Sequence, residues 1–196
     1  MKRWIKRSAV ALIALDLLAS LITLNFAHAV ISKSPKQAAS ANPYGNTPID
    51  PPGKNDPLLV VTNSAPAQKA SGGSGAARST SYRMADLLHF KHQVITINEP
   101  FAKKVQSFTV ISLKDIFASA GIRANQRVQT IALNDYIYSN TAGSFTKAQG
   151  YLAIERGGKA IPYDQGGPIR IIFPNSSNWS KVLDPWNWSL AKIVAQ

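Results

Sequence analysis

The sequence has no cysteine among its 196 residues. This absence excludes a structural disulfide, a thiolate metal site and a cysteine nucleophile. Histidine is scarce too, and outside the N-terminal segment only His89 and His92 remain. Their spacing could place two imidazoles on one helical face, but no third ligand accompanies them, so no metal site is predicted. Since a Gly-x-Ser-x-Gly motif is also missing, no catalytic residue is predicted.

Acidic residues are few, with 10 Asp and Glu against 22 Lys and Arg and a formal net charge of +12. Residues 1–82 carry 9 basic and 3 acidic side chains, and residues 83–196 carry 13 and 7, so each part has a net charge of +6. In the second part no basic run is longer than Lys103-Lys104. Such dispersed charge does not form the basic patch of a nucleic-acid interface, and no nucleic-acid binding is predicted.

The N-terminus is typical of an exported protein. Four basic residues precede an apolar stretch from Ala9 to Leu24, and Ala27-His28-Ala29 has the small-x-small pattern of a leader-peptidase site. Two alternatives follow: residues 1–29 are a cleaved signal peptide, or residues 8–31 remain as a membrane anchor. Either predicts a periplasmic or otherwise extracytoplasmic protein, soluble after cleavage or anchored to the inner membrane.

Residues 30–82 are predicted to form a flexible linker. They are rich in Pro, Ala, Ser, Gly and Asn, a composition that cannot bury enough apolar surface to offset the entropy of ordering. The exception is the short apolar run from Asp56 to Thr62. This run could add an edge strand to the domain that follows, or dock on a partner.

Residues 83–196 are predicted to form one small α+β domain, a mixed β-sheet with one or two short helices. Helices are predicted at Met84 to Phe90, with Ser81 as a cap, and after Ser112, whose hydroxyl caps a helix that Gly121 ends. Gly157-Gly158 indicates a tight hairpin. Strands are predicted at Gln93 to Ile97, Phe108 to Ile111, Val128 to Leu133, Tyr151 to Arg156, Lys159 to Ile161, Ile169 to Phe173 and Trp188 to Val194.

The C-terminal region concentrates aromatic residues around a buried charge. Trp179, Trp186 and Trp188 lie within ten residues of one another. Indole rings are favoured in ligand grooves, and they also close small cores. Arg170 stands in the middle of an apolar strand, where its charge needs a partner. It either binds an anion or pairs with Asp135 or Asp164.

Five segments resemble, in this order along the chain, the sulfite-oxidase-type oxidoreductase molybdopterin-binding domain and its small periplasmic members. The most specific is Gly166-Gly167-Pro168-Ile169-Arg170-Ile171-Ile172-Phe173-Pro174, which is similar to the family's Gly-x-Pro-Leu/Ile-Arg signature. The others begin at Val110, Ala132, Leu152 and Trp188. The resemblance covers about residues 84–196 and implies the family's fold.

The resemblance also implies that catalytic members hold molybdenum through a cysteine thiolate, which this chain lacks. We therefore expect a cofactor-free module that binds a small ligand, anionic if Arg170 contacts it, or a periplasmic or membrane protein. One alternative is a molybdopterin-dependent oxidoreductase with a non-cysteine metal site, and another is a structural subunit docked on a membrane complex. The predicted ligand groove consists of Asp135, Tyr136, Arg170, Trp179, Trp186 and Trp188.

Overall fold

The computed structural model describes residues 52–53, 55–64 and 77–196. The predicted signal peptide or anchor, and most of the predicted linker, lie outside these residues. None of the helices in the described ranges is long and apolar enough to cross a bilayer.

Ten strands and three short helices make up the described chain. The strands are β1 (Leu59–Asn63), β2 (Arg78–Tyr82), β3 (His92–Glu99), β4 (Lys104–Ser112), β5 (Arg127–Ala132), β6 (Ile137–Thr141), β7 (Tyr151–Arg156), β8 (Lys159–Ala160), β9 (Arg170–Ile172) and β10 (Leu190–Ala195). The helices are α1 (Met84–Leu88), α2 (Leu113–Ser119) and α3 (Ala142–Lys147), and a 3-10 turn covers Tyr163–Gln165. This is the predicted α+β class.

The strands form two sheets. The first has the order β2-β1-β10-β5-β6, and the second has the order β3-β4-β7-β8, with β9 also paired to β7. Strands β1 and β10 run parallel, and every other pairing in the described chain is antiparallel. The hairpin between β7 and β8 turns at Gly157-Gly158, as predicted.

Alternating side chains from both sheets supply one hydrophobic core. In β4, Phe108 and Val110 are fully buried, while Val105 on the opposite phase is 69% exposed. This alternation is what a strand with one covered face requires. The core also takes Leu59 and Val61 from β1, together with the buried faces of α2 and α3.

The linker prediction is wrong for residues 59–63 and 78–82, which form β1 and β2. Strand β1 lies inside the first sheet, between β2 and β10, rather than at an edge. Strand β2 has the polar sequence RSTSY, and its side chains are mostly exposed apart from the buried Tyr82. Backbone hydrogen bonds to β1 therefore hold β2 in place, and its composition alone gives little sign of a strand.

The helix ends follow local hydrogen bonding. The hydroxyl of Ser112 accepts a bond from the Lys114 backbone nitrogen at 3.2 Å, which confirms the predicted cap of α2. The cap of α1 is Arg83 rather than Ser81, since the Asp86 carboxylate accepts from the Arg83 backbone nitrogen at 2.8 Å. Helix α3 was not predicted. It begins where the Thr141 hydroxyl accepts from the Ser144 backbone nitrogen at 3.1 Å.

The turn at Gly166-Gly167-Pro168 leads into β9 and has little room for side chains. Gly166 has a φ of +84°, and a Cβ atom there would lie 2.7 Å from the Trp188 ring. A Cβ atom on Gly167 would lie 1.8 Å from the Ile161 carbonyl oxygen. The Gly167–Pro168 peptide bond is cis. The two glycines let this turn approach Trp188 and the strand end at Ile161 closely.

We expect Gly166→Ala to lower the free energy of unfolding by about 1–3 kcal/mol more than Gly158→Ala does, because only the first methyl group overlaps a ring. Gly158 is the matched control. It also has a positive φ, +70°, but a Cβ atom there would meet nothing within 4 Å. Urea denaturation of both variants measures the difference, and equal losses would show that backbone strain alone matters at Gly166.

Candidate functional site

Two recesses share a wall formed by Phe101 and Trp188. The first, called here the aromatic pocket, has a volume of about 180 Å³. It is lined by Phe101, Ala132, Asn134, Tyr136, Leu183, Asp184, Trp186 and Trp188. The second, called the charged cleft, has a volume of about 500 Å³. It is lined by Glu99, Phe101, Ala102, Lys104, Gln106, Arg156, Asp164, Gln165, Arg170 and Trp188.

Aromatic contacts fix the wall of the aromatic pocket. The Phe101 ring meets Trp188 edge to face, with centroids 4.7 Å apart, and it meets Trp186 at 6.2 Å. Trp186 is 3% exposed, and its Nε1 donates a hydrogen bond to the Trp179 carbonyl oxygen at 3.0 Å. The indole of Trp186 thus offers the pocket an apolar surface, while its polar atom is satisfied within the fold.

Tyr136 and Asp184 give the aromatic pocket a polar rim. The Tyr136 hydroxyl donates to the Asp184 carbonyl oxygen at 3.0 Å. Burial raises the pKa of Tyr136, and the nearby Asp184 charge and Tyr138 raise it further. The hydroxyl therefore stays protonated at neutral pH and acts as a donor.

Arg170 is paired with Glu99, so the prediction of Asp135 or Asp164 as its partner is wrong. Its Nη2 donates to Glu99 Oε1 at 2.8 Å, with 2% of the Arg170 side chain and 1% of the Glu99 side chain exposed. The guanidinium carbon also lies 4.0 Å from the Trp188 ring centroid. At this distance a cation is attracted to the ring face.

Glu99 links this buried pair to Phe101. Its second carboxylate oxygen, Oε2, accepts a hydrogen bond from the backbone nitrogen of Ala102. The chain therefore turns tightly after β3, and Phe101 is placed against Trp186 and Trp188. One carboxylate consequently anchors the shared wall of both recesses.

The structure divides the six predicted groove residues between the two recesses and two positions outside them. Tyr136, Trp186 and Trp188 line the aromatic pocket, and Arg170 lines the charged cleft with Trp188. Trp179 lines neither of them and packs edge to face against Phe173, Phe145 and Tyr138, at centroid distances of 5.4, 5.5 and 6.0 Å.

Asp135 also lies outside both recesses. It occupies the turn before β6 with a φ of +64°, and its backbone nitrogen donates to the Ala132 carbonyl oxygen at 3.1 Å. Aspartate tolerates this left-handed conformation better than most residues do. The geometry of Asp135 is therefore that of a turn residue.

Several lining residues were missed by the sequence analysis, chiefly Glu99, Phe101, Lys104, Gln106, Arg156 and Leu183. Most of them come from β3, β4 and β7, which are distant in sequence from the tryptophans. The sequence did contain one signal for Glu99. An arginine in an apolar strand, such as Arg170, requires a carboxylate partner, and residues 83–196 contain only seven acidic residues. Glu99, at the end of an apolar strand, was among them.

Comparison with known proteins identifies related folds. The model of the family described as "Oxidoreductase molybdopterin binding domain" matches residues 73–186. Among solved structures, the sulfane dehydrogenase SoxCD from Paracoccus pantotrophus is similar, with a TM-score of 0.56 and 14% identity over 76% of this chain. The match covers 40% of the SoxCD chain, and at this identity it shows the fold alone. No curated protein matches the sequence.

The donor set of this chain does not fit a thiolate-ligated molybdenum, because there is no cysteine. Within the described ranges, no group of three or more His, Asp or Glu side chains could hold a metal ion either. The charged cleft does contain basic groups in Lys104 and Arg156. Basic groups can contact an anion, but they are not ligands for a metal.

We expect Arg170→Met to lower the free energy of unfolding by about 3–5 kcal/mol, because it leaves the Glu99 carboxylate buried without its counterion. The double variant Glu99→Gln/Arg170→Met buries no charge and should lose less than the sum of the two single variants. Urea denaturation of the four proteins gives this coupling. If the losses of the two single variants sum to the loss of the double variant within about 0.5 kcal/mol, Glu99 and Arg170 do not interact.

Tyr163, in the 3-10 turn beside the charged cleft, should make stability depend on pH in the alkaline range. Burial raises its pKa to about 12 from the ordinary tyrosine value of 10.0, and its hydroxyl oxygen has no hydrogen-bond partner among the described residues. Below pH 10 this tyrosine is neutral in both states. Between pH 10 and 12 it ionises first in the unfolded chain, so its contribution to stability is lost as the pH rises.

The variant Tyr163→Phe removes the titrating group without removing a hydrogen bond. Urea midpoints measured at about pH 9 and about pH 11 should fall less between the two values in Tyr163→Phe than in the parent protein. An identical fall in both proteins would show that Tyr163 ionises as freely in the fold as in the unfolded chain.

Proposed function

The chain belongs to the oxidoreductase molybdopterin-binding domain family, and we propose that it is an exported member that binds a small ligand in the aromatic pocket and does no molybdenum chemistry. The family match establishes the domain type. One combined observation carries the proposal of ligand binding without molybdenum chemistry. Tyr136, Trp186 and Trp188 line one apolar pocket, and the chain has no cysteine to ligate a metal.

The lining of the aromatic pocket favours a ligand with a flat apolar part. Phe101, Trp186 and Trp188 supply aromatic surfaces, and Leu183 adds an aliphatic side chain that is 47% exposed. Asn134 and Asp184 provide polar groups at the same site. Apolar walls with a few placed polar groups are the usual composition of a small-molecule site.

Export to the periplasm is part of the proposal and is supported by the N-terminal sequence. Basic residues, an apolar stretch from Ala9 to Leu24 and Ala27-His28-Ala29 together favour secretion. Removal of residues 1–29 would release the domain, and retention of residues 8–31 would anchor it to the inner membrane. In either case the ligand or partner would be met outside the cytoplasm.

Ligand binding can be tested with 4-methylphenol, which combines an aromatic ring with one hydroxyl. We expect it to shift the indole N–H resonances of Trp186 and Trp188 in NMR titrations, with a Kd of about 1 mM, as suits a fragment. Leu183→Ala removes part of the pocket wall and should weaken binding about tenfold, which corresponds to one apolar side chain.

Val182→Ala is the matched control for this titration. Val182 is 44% exposed, close to the 47% of Leu183, but it does not line the aromatic pocket. Its loss should leave the affinity unchanged. If both variants weaken 4-methylphenol binding equally, or if neither indole resonance shifts, the aromatic pocket is not the binding site.

The absence of molybdenum chemistry has a separate test on protein purified from its own envelope fraction. Native mass spectrometry with elemental analysis should find the bare polypeptide mass. Molybdenum together with a bound pterin mass would instead establish the oxidoreductase alternative with a non-cysteine ligand. The same mass shows whether residues 1–29 are present.

A further inference from the structure

The charged cleft is a second recess, distinct from the aromatic pocket except for their shared wall. Its basic side chains share one face of the second sheet. Lys104, Gln106 and Phe108 alternate along β4, so they point to the same side. Arg156 on β7 lies directly opposite Phe108 in the register and therefore joins this face. Strand geometry thus places Lys104, Gln106 and Arg156 on one face, and all three line the cleft.

The charges in the cleft do not cancel. Arg170 and Glu99 neutralise each other in their buried pair. The remaining charged side chains are Lys104, Arg156 and the exposed Asp164, a net charge of +1. Lys104 forms no ion pair with any carboxylate in the part of the chain that the structure describes. The guanidinium of Arg156 is steadied by a hydrogen bond from its Nη2 to the Gln165 side-chain oxygen.

Gln106 adds a polar atom that needs a partner. Its Oε1 is buried and accepts no hydrogen bond from any described residue. An acceptor left in this state costs free energy unless a bound molecule donates to it. A hydroxyl group is well suited to this position, because it can donate or accept and therefore serves either orientation of the amide.

We propose that the charged cleft binds a small hydroxycarboxylate. The carboxylate lies between Lys104 and Arg156, where charge-assisted hydrogen bonds hold it. The hydroxyl donates to Gln106 Oε1. The carbon skeleton packs against Phe101 and Trp188, which form the apolar side of the cleft. This site does not depend on ligand binding in the aromatic pocket.

Lactate and propionate are the two probes, because they share a carbon skeleton and differ in one hydroxyl group. NMR titration of the full chain at low salt should shift the Gln106 side-chain amide and the backbone amides of Lys104 and Arg156. We expect lactate to bind about fivefold or more tightly than propionate, since propionate leaves the Gln106 acceptor unpaired.

Three variants locate the site. Lys104→Gln and Arg156→Gln should each weaken lactate binding about tenfold through loss of a charged donor. Gln106→Leu should make the affinities for lactate and propionate equal, because it removes the buried acceptor of the lactate hydroxyl. Lys192→Gln is the matched control. It removes an exposed lysine on β10, in the other sheet and outside the cleft lining, and it should leave binding unchanged.

Four outcomes would overturn the proposal: no shift with either probe, equal binding of lactate and propionate, equal weakening by Lys192→Gln, or inorganic sulfate binding as tightly as lactate. The last two would reveal general electrostatic attraction or a simple oxyanion site. Titration of the same variants with 4-methylphenol tests the aromatic pocket separately, so the two proposals can fail independently. Urea denaturation confirms that each variant is folded.

Discussion

The buried ion pair between Arg170 and Glu99 is the interaction on which the site depends. It joins β9 to the end of β3 across 71 residues of sequence, at an N–O distance of 2.8 Å. A buried charge pair contributes little net stability compared with a well-packed apolar pair, but the loss of one partner is costly. Its role here is positional. Glu99 holds the turn that carries Phe101, and Arg170 lies against the face of Trp188.

Much of the fold could be predicted because its signals are local. Apolar residues with β-branched side chains marked β3, β5 and β7, Gly157-Gly158 marked a hairpin, and Ser112 marked the start of α2. Strand β2 and helix α3 were missed, since neither RSTSY nor AGSFTK has an apolar period. Tertiary context determines both. Strand β2 forms on the edge of β1, and α3 forms around the single large apolar anchor Phe145.

The site was harder to predict than the fold because it is assembled from distant segments. The aromatic cluster near the C-terminus was recognisable, yet sequence alone could not separate Trp186, which lines the pocket, from Trp179, which is partly buried and packs against the core. The partner of Arg170 required knowledge of which strand end meets β9. In a sequence, turn residues such as Asp135 cannot be told from binding-site residues, because both turns and binding sites favour polar side chains.

The family's fold persists here without a cysteine, in line with the general rule that function lies in the site rather than in the fold. The turn at Gly166-Gly167-Pro168 shows what the retained signature does physically. Gly166 makes room for the Trp188 ring, and the following strand carries Arg170 to Glu99. These residues maintain the architecture around the two recesses, and that requirement holds whatever the domain binds.

The position of β1 has a mechanical consequence. The first strand of the described chain is hydrogen-bonded on both edges, antiparallel to β2 and parallel to β10. Any tension that reaches the domain from the residues before Leu59 therefore acts on an interior strand. Pulling this strand along its axis must shear its ladders with both neighbours together, whereas an edge strand could be peeled away one hydrogen bond at a time.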